Sequence, residues 1–174
     1  MVTSGAGERV TWVLLAYRVP REPSTPRIAI WRRLRRLGVA QIGDGLVAIP
    51  ADARTREALE WVADDVLEAS GTATLWQAQL TSRSAEGQVI AGMATARAAE
   101  YDALAAKAKA ALGAGTAAGL SRLRLLRREL RGVQRRDFFP PPQRQLAQTA
   151  VKSLAEQVHQ AKQAVSTEAE VTAP

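Results

Sequence analysis

The sequence predicts an α+β protein, with a ferredoxin-like βαββαβ domain followed by an α-helical extension of about three helices. Up to residue 81, short β-branched and apolar runs alternate with segments of helical spacing in the order β-α-β-β-α-β. Beyond that point the chain becomes alanine-rich, and its apolar residues recur at steps of three and four. We therefore expect a domain over 10–81, a helical extension over 88–165 and a disordered tail over 166–174.

The first strand and helix are separated by prolines. Residues 10–18 are almost all apolar or β-branched, which predicts a strand buried on both faces. Prolines 20, 23 and 26 then exclude a continuous helix until the next segment begins. From 27 to 37 the apolar residues have helical spacing, and Gly38 follows as a C-terminal cap.

A hairpin, a helix and a last strand complete the predicted domain. Asp44-Gly45 lies between two short apolar runs, which is typical of a tight β-hairpin. Residues 54–69 have helical spacing and end before Gly71, and residues 72–80 alternate as a strand does. Trp12, Trp31 and Trp61 fall one to an element, so we expect them in the core.

The extension contains an alanine-rich helix, an arginine-rich helix near 117–136 and a third helix over 143–165. Gly113 and Gly115 separate the first two, and the prolines 140–142 separate the second from the third. Leucines and valines form an apolar seam on the arginine-rich helix. Because aromatic residues are few here, we expect these helices to dock on the first domain rather than form a large core of their own.

Positive charge is concentrated in the middle of the chain. The net charge is +7, and residues 81–137 carry 11 Lys and Arg against 5 Asp and Glu, an excess of 6. Arg124, Arg128, Arg131 and Arg135 follow one another at steps of four, three and four, which places them on one side of a helix. Guanidinium groups in such a row suit phosphates, so nucleic acid is the first partner to consider. The alternative is a solvated helix face.

Composition excludes several kinds of site. The chain has no cysteine and one histidine, so we expect no disulfide, no catalytic residues, no metal site and no cofactor. We predict that it is not an enzyme. No apolar run reaches the roughly 18 residues of a membrane span, and the first residues lack a signal-peptide pattern, so we expect a cytoplasmic protein with no membrane partner.

Several motifs resemble one known family. The run from Tyr17 to Gly38 and the segments Asp44-Gly-Leu-Val-Ala-Ile-Pro50, Leu75-Trp76, Arg97-Ala-Ala-Glu-Tyr101 and Asp137-Phe-Phe-Pro140 resemble the N-terminal domain of the chromate-resistance regulator ChrB. The first 80 residues also resemble, more distantly, the ferredoxin-like domain of PaaX-type repressors and the small nuclease of CRISPR adaptation. That nuclease has an aspartate at the end of its first strand, where this chain has Tyr17-Arg18, so nuclease activity is not carried over.

The resemblance implies a DNA-binding transcriptional regulator of chromate resistance. We expect a homodimer that contacts DNA phosphates through two arginine groups. They are Arg122, Arg124, Arg127, Arg128, Arg131 and Arg135 in the arginine-rich helix, and Arg32, Arg33, Arg35 and Arg36 in the first helix.

Two alternative functions belong to other classes of protein. One is a protein-interaction module that pairs with a separate chromate-domain protein, because full-length ChrB proteins carry a second domain linked to chromate response. The other is a module whose guanidinium groups bind an oxyanion, chromate or sulfate.

Overall fold

The computed structural model describes residues 9–113 and 116–171, and they form an α+β structure. The chain divides into two compact units, residues 1–93 and 94–174. None of the helices in the described ranges has the length and apolar character needed to cross a membrane. The elements, in chain order, are β1 (Trp12–Arg18), α1 (Ser24–Leu37), β2 (Ala40–Gly43), β3 (Leu46–Pro50), α2 (Ala53–Glu68), β4 (Thr72–Ala78), α3 (Arg83–Ala110), α4 (Thr116–Gln134) and α5 (Gln143–Val171).

The first unit contains a four-stranded antiparallel sheet in the order β2-β3-β1-β4. Strand β1 is central, as its unbroken apolar sequence predicts, and Trp12 and Leu15 within it are fully buried. Helix α1 contributes Ile30 and Leu34 to the buried set, and α2 contributes Leu59, Val62 and Val66. The helical spacing of these apolar residues is what directs one side of each helix away from water.

Two of the three tryptophans expected in the core are exposed. Trp12 has no exposed surface, but Trp31 and Trp61 are 47% and 56% exposed. Each lies one position along its helix from a buried residue, and one position turns the side chain by about 100°. The prediction was therefore wrong for Trp31 and Trp61, because the buried stripes of α1 and α2 are narrower than the sequence suggested.

Helix α2 begins with a reciprocal cap that the sequence pattern did not reveal. The Asp52 carboxylate accepts from the Thr55 backbone N–H at 2.6 Å, and the Thr55 hydroxyl accepts from the Asp52 N–H at 2.9 Å. Thr55 also donates from this hydroxyl to the Pro50 carbonyl at 2.7 Å. Because α2 follows β3 directly, this cap fixes where the strand ends and the helix starts.

The turn between β2 and β3 requires glycine at position 45. Gly45 has a φ of 73°, and its carbonyl accepts from the Tyr17 backbone N–H at 2.7 Å. A Cβ at this position would collide with the Tyr17 carbonyl oxygen. The Asp44-Gly45 turn therefore sets how closely the hairpin approaches the end of β1.

The second unit has a core of its own. Buried side chains from α3, α4 and α5 form one cluster, which contains Tyr101, Leu104, Ala105, Ala108, Ala111, Leu123, Leu126, Val133, Ala147, Val151, Leu154 and Val158. The expectation that these helices would form no large core was therefore wrong. Four of its twelve buried members are alanines, whose small side chains let helices approach closely.

Helix α5 continues past the predicted limit of ordered structure. Its backbone is helical to Val171, whereas the sequence pattern predicted a helix that ends at residue 165. No glycine or proline interrupts residues 143–171, so nothing local ends the helix earlier. Residues 172–174 of the predicted tail, and residues 114–115 of the predicted break between helices, lie outside the described residues.

We predict that Gly45→Ala lowers the free energy of unfolding by about 1–3 kcal/mol, because the new methyl group both meets the Tyr17 carbonyl and requires a positive φ. Urea titration followed by circular dichroism measures the change. Gly43→Ala is the matched control, since a Cβ there has nothing within 4 Å. Equal stability of the two variants would show that the turn does not need glycine.

Candidate nucleic-acid interface

Helix α4 has an apolar side and a basic side. Leu123, Leu126 and Val133 are 5%, 3% and 5% exposed and belong to the core of the second unit. The six arginines that the sequence assigned to this helix region are all exposed: Arg122, Arg124, Arg127, Arg128, Arg131 and Arg135. Burial of the leucine side therefore orients the basic side toward water.

The exposed arginines form a row along one side of the helix. At 1.5 Å per residue, the row from Arg124 to Arg135 is about 16 Å long. Glu129 is the acidic residue of α4, and it accepts from the Lys107 ammonium at 2.9 Å. Among the described residues, no ion pair joins a carboxylate to Arg124, Arg128 or Arg131. This surface can therefore attract a polyanion.

A groove between α4 and α5 adds cations that the sequence pattern did not point to. The groove has a volume of about 530 Å³, and Arg127, Lys152, His159 and Lys162 line it. Glu156 is also in the lining, 3.8 Å from the Lys152 ammonium. Lys152 and Lys162 are isolated from other basic residues in the sequence. They line the same groove as Arg127 only because α4 and α5 pack against each other.

The four arginines predicted on α1 have different surroundings. Arg32 and Arg36 are exposed. Arg33 is bound to the Asp65 carboxylate of α2, and the two side chains are only about one-third exposed. Arg35 lies with its guanidinium carbon 4.8 Å from the centre of the Trp31 ring, within the range of a cation–π contact. Because Arg33 already binds a carboxylate, it is less available for a phosphate contact than Arg32 and Arg36 are.

Two further arginines have a structural role that the sequence did not reveal. Glu100 of α3 binds Arg97 at 2.8 Å through one carboxylate oxygen and Arg136 through the other. Arg136 also donates to the Gly132 carbonyl at 3.0 Å. Arg97 is 13% exposed at its side chain, and burial is the main cause that lowers its pKa. These arginines therefore hold α3 to the end of α4.

Asp137 is the fully buried member of the same region. Its side chain has no exposed surface, and its Oδ2 accepts from the Tyr101 hydroxyl at 2.8 Å and lies 3.5 Å from Arg144. Its Oδ1 has no hydrogen-bond partner among the described residues. The Arg97–Tyr101 and Asp137–Pro140 segments noted in the sequence are thus in contact through the Tyr101–Asp137 hydrogen bond. This contact joins helices and is not part of an open site.

Tyrosine ionisation is suppressed in both units. Burial, and then the hydrogen bond to Asp137, raise the pKa of Tyr101 well above its usual value, and burial raises the pKa of Tyr17. A buried phenol next to a carboxylate resists ionisation because two negative charges would share a poorly solvated site. Tyr101 is therefore a hydrogen-bond donor at neutral pH.

The structure brings together guanidinium groups rather than metal ligands. Within the described ranges, no three His, Asp or Glu side chains are close enough to hold a metal ion. Arginine binds planar oxyanions through two parallel N–H groups, and it stays protonated at physiological pH. The chemistry that this arrangement supports is anion binding.

The comparisons with known proteins give one match. Residues 27–112 match the family model described as Protein ChrB, N-terminal. No curated protein and no solved structure matches the chain. The matched region includes most of α1 and the Arg97–Tyr101 segment, whereas the arginines of α4 lie outside it. The more distant resemblance to PaaX repressors stays a prediction.

We predict that the free energy of unfolding falls as the pH rises above 10.0, the ordinary pKa of tyrosine. Below that pH both states keep the proton, and above it the unfolded chain loses the proton first because the pKa values in the folded state are raised. Tyrosinate absorbance and unfolding should be measured at each pH, with the denatured chain as control. A midpoint near pH 10 in the folded chain would contradict the prediction.

We also predict that Tyr101→Phe lowers the free energy of unfolding by about 1–3 kcal/mol, because it removes the donor to a buried carboxylate and keeps the ring. Tyr17→Phe is the matched control, since no hydrogen bond of the Tyr17 hydroxyl is found among the described residues, and it should change stability by less than about 0.5 kcal/mol. Similar losses in both variants, measured by urea titration, would argue against a special role for the Tyr101 hydroxyl.

Proposed function

We propose that the chain, whose residues 27–112 match the model of the ChrB N-terminal family, is a DNA-binding transcriptional regulator of chromate resistance. The family relates the chain to the regulator of chromate resistance that its motifs resemble. The proposal adds that the chain acts by binding duplex DNA. The observation that carries this step is the exposed side of α4 that contains Arg124, Arg128 and Arg131. Buried leucines anchor the opposite side of the helix, and none of these three arginines has an ion pair with a carboxylate among the described residues.

We also assign the first unit to the ferredoxin-like fold. The first six elements follow the order β-α-β-β-α-β, and the sheet order β2-β3-β1-β4 places β1 and β3 in the centre. This is the arrangement expected of a split βαβ motif, in which each helix connects two parallel strands with an antiparallel strand between them. The assignment supports the relation to regulators with such a domain.

The row on α4 supports contacts with phosphates rather than with particular bases. Phosphate contacts provide affinity, and sequence preference needs side chains that reach base edges. If about five phosphates are neutralised, the logarithm of affinity should fall with the logarithm of salt concentration at a slope near −4. On α1, Arg32, Arg35 and Arg36 are a second candidate group, and Arg33 is less available because it binds Asp65.

The proposal does not include catalysis. The groups concentrated on α4 and α1 are guanidiniums, which suit binding of planar oxyanions through parallel N–H groups. A guanidinium binds and orients a phosphate without needing to react with it. We therefore propose a binding protein that acts in the cytoplasm and holds its DNA as a homodimer, since dimers match the two halves of a symmetric operator.

We predict that Arg124→Ala, Arg128→Ala and Arg131→Ala together weaken binding to duplex DNA by at least about tenfold. The salt slope should become shallower by about one unit for each phosphate that the variant no longer neutralises. Filter binding to one duplex at several salt concentrations measures both quantities. Sedimentation of the complex reports whether two chains bind each duplex.

The control distinguishes the effect of where the arginines lie from the effect of the net charge of the chain. Replacing Arg21, Arg56 and Arg83 by alanine lowers the net charge from +7 to +4, as the α4 triple variant does, but leaves the row on α4 intact. This variant should bind more tightly than the α4 triple variant. Equal binding by the two variants would mean that only overall charge matters, and a salt slope near zero would overturn the proposal. Salt-independent capture of a separate chromate-domain protein, with no duplex binding, would favour an interaction module instead.

A further inference from the structure

The first unit contains a cavity that the proposed DNA contacts of α4 do not use. It has a volume of about 790 Å³ and lies at the end of β1, beside the start of α1 and the Asp44-Gly45 turn. The side chains that matter for its chemistry are those of Tyr17, Arg18, Arg27, Trp31, Arg32 and Asp44. A volume of this size is typical of sites for small organic ligands and is much larger than a sulfate or chromate ion needs.

Three guanidinium groups line the cavity and give it positive charge. Arg18, Arg27 and Arg32 are exposed, and no ion pair to a carboxylate is found for them within the described parts of the chain. Burial raises the pKa of Tyr17, so its hydroxyl keeps its proton and can donate to the same anion. A phosphate group presents the several acceptor oxygens that such a set of donors requires.

Trp31 gives the cavity a flat apolar surface. Its ring is 47% exposed although it is a large hydrophobic side chain, and Ile28 beside it in the lining is 43% exposed. Arg35 covers one side of the ring at 4.8 Å from the ring centre and so helps to fix its orientation. Tryptophan rings held in this way are platforms for stacking nucleobases.

Asp44 distinguishes the cavity from a plain polyanion surface. Its carboxylate lowers the positive charge of the cavity and, unlike the arginines, accepts hydrogen bonds from hydroxyl and amino groups. Ribose hydroxyls and the exocyclic amino group of a base are donors of this kind. One ligand class offers a phosphate, a flat ring and such donors together.

We propose that this cavity binds a nucleoside phosphate, with the base on Trp31, the phosphate on Arg18, Arg27 and Arg32, and a sugar or base donor on Asp44. The nucleotide can be free in solution or can be an unpaired nucleotide of a DNA strand, and both present the same chemistry. This inference goes beyond duplex binding by α4, because it assigns a separate ligand site to the first unit.

The test uses adenosine monophosphate and the full chain. Titration calorimetry and tryptophan fluorescence should detect binding of adenosine monophosphate, while ribose 5-phosphate, adenosine and inorganic phosphate bind at least about tenfold more weakly. A single-stranded oligodeoxyadenylate and a blunt duplex of the same length distinguish the two sources. Tight binding of the single strand with weak binding of the mononucleotide assigns the site to unpaired DNA, and the reverse assigns it to a free nucleotide.

Substitutions of the lining residues test whether the nucleotide binds in this cavity. Trp31→Ala should weaken binding of adenosine monophosphate by about tenfold, and Trp31→Phe should retain most of it because a ring remains. Trp61→Ala is the matched control, since Trp61 is also about half exposed but does not line the cavity. Arg27→Ala should weaken binding of the nucleotide and leave binding of adenosine unchanged. Because these side chains are exposed, circular dichroism should show an intact fold in each variant.

Several results would overturn the proposal. They are no binding of either the mononucleotide or the single strand, equal binding of inorganic phosphate and adenosine monophosphate, and equal losses in Trp31→Ala and Trp61→Ala. The α4 triple variant separates this site from the proposed function. Its binding of adenosine monophosphate should equal that of the parent chain whether or not α4 binds duplex DNA.

Discussion

The contacts of the buried Asp137 carboxylate join α3, α5 and the segment after α4 in the helical unit. A charge without contact with water is costly unless polar groups surround it, and here Tyr101 and Arg144 approach it from two different helices. Nearby, the Glu100 carboxylate forms ion pairs with both Arg97 and Arg136. Some basic residues of this unit, such as Arg136 and Arg144, are therefore held by carboxylates of another segment, whereas Arg124, Arg128 and Arg131 of α4 face water.

The same division occurs on α1 within the first unit. Arg33 joins α1 to α2 through Asp65, Arg35 covers a tryptophan ring, and Arg32 lines a cavity. A run of four arginines in five residues looks uniform in the sequence, yet helical geometry sends each side chain to different surroundings. Local positive charge is therefore a poor guide to which guanidinium groups remain available for a ligand.

Periodicity predicted the elements well but could not predict contacts between distant residues. The alternating and helical patterns placed β1, the hairpin and the helices, because each pattern depends on neighbours along the chain. The bond between Tyr101 and Asp137 joins residues 36 positions apart, and it exists only once α3 and α4 have packed. The helical core was missed for a related reason. Alanines such as Ala108 and Ala147 carry little hydrophobic surface singly, and their value lies in how closely they let helices meet.

The contact between Arg35 and Trp31 has a consequence for stoichiometry. A planar ring has two sides, and the guanidinium occupies one of them at 4.8 Å. Only the opposite side remains for a second flat molecule, so the tryptophan cannot be sandwiched between two aromatic guests. Each copy of the chain can thus stack one planar ring on Trp31. Rings cannot stack on both sides of this tryptophan at once.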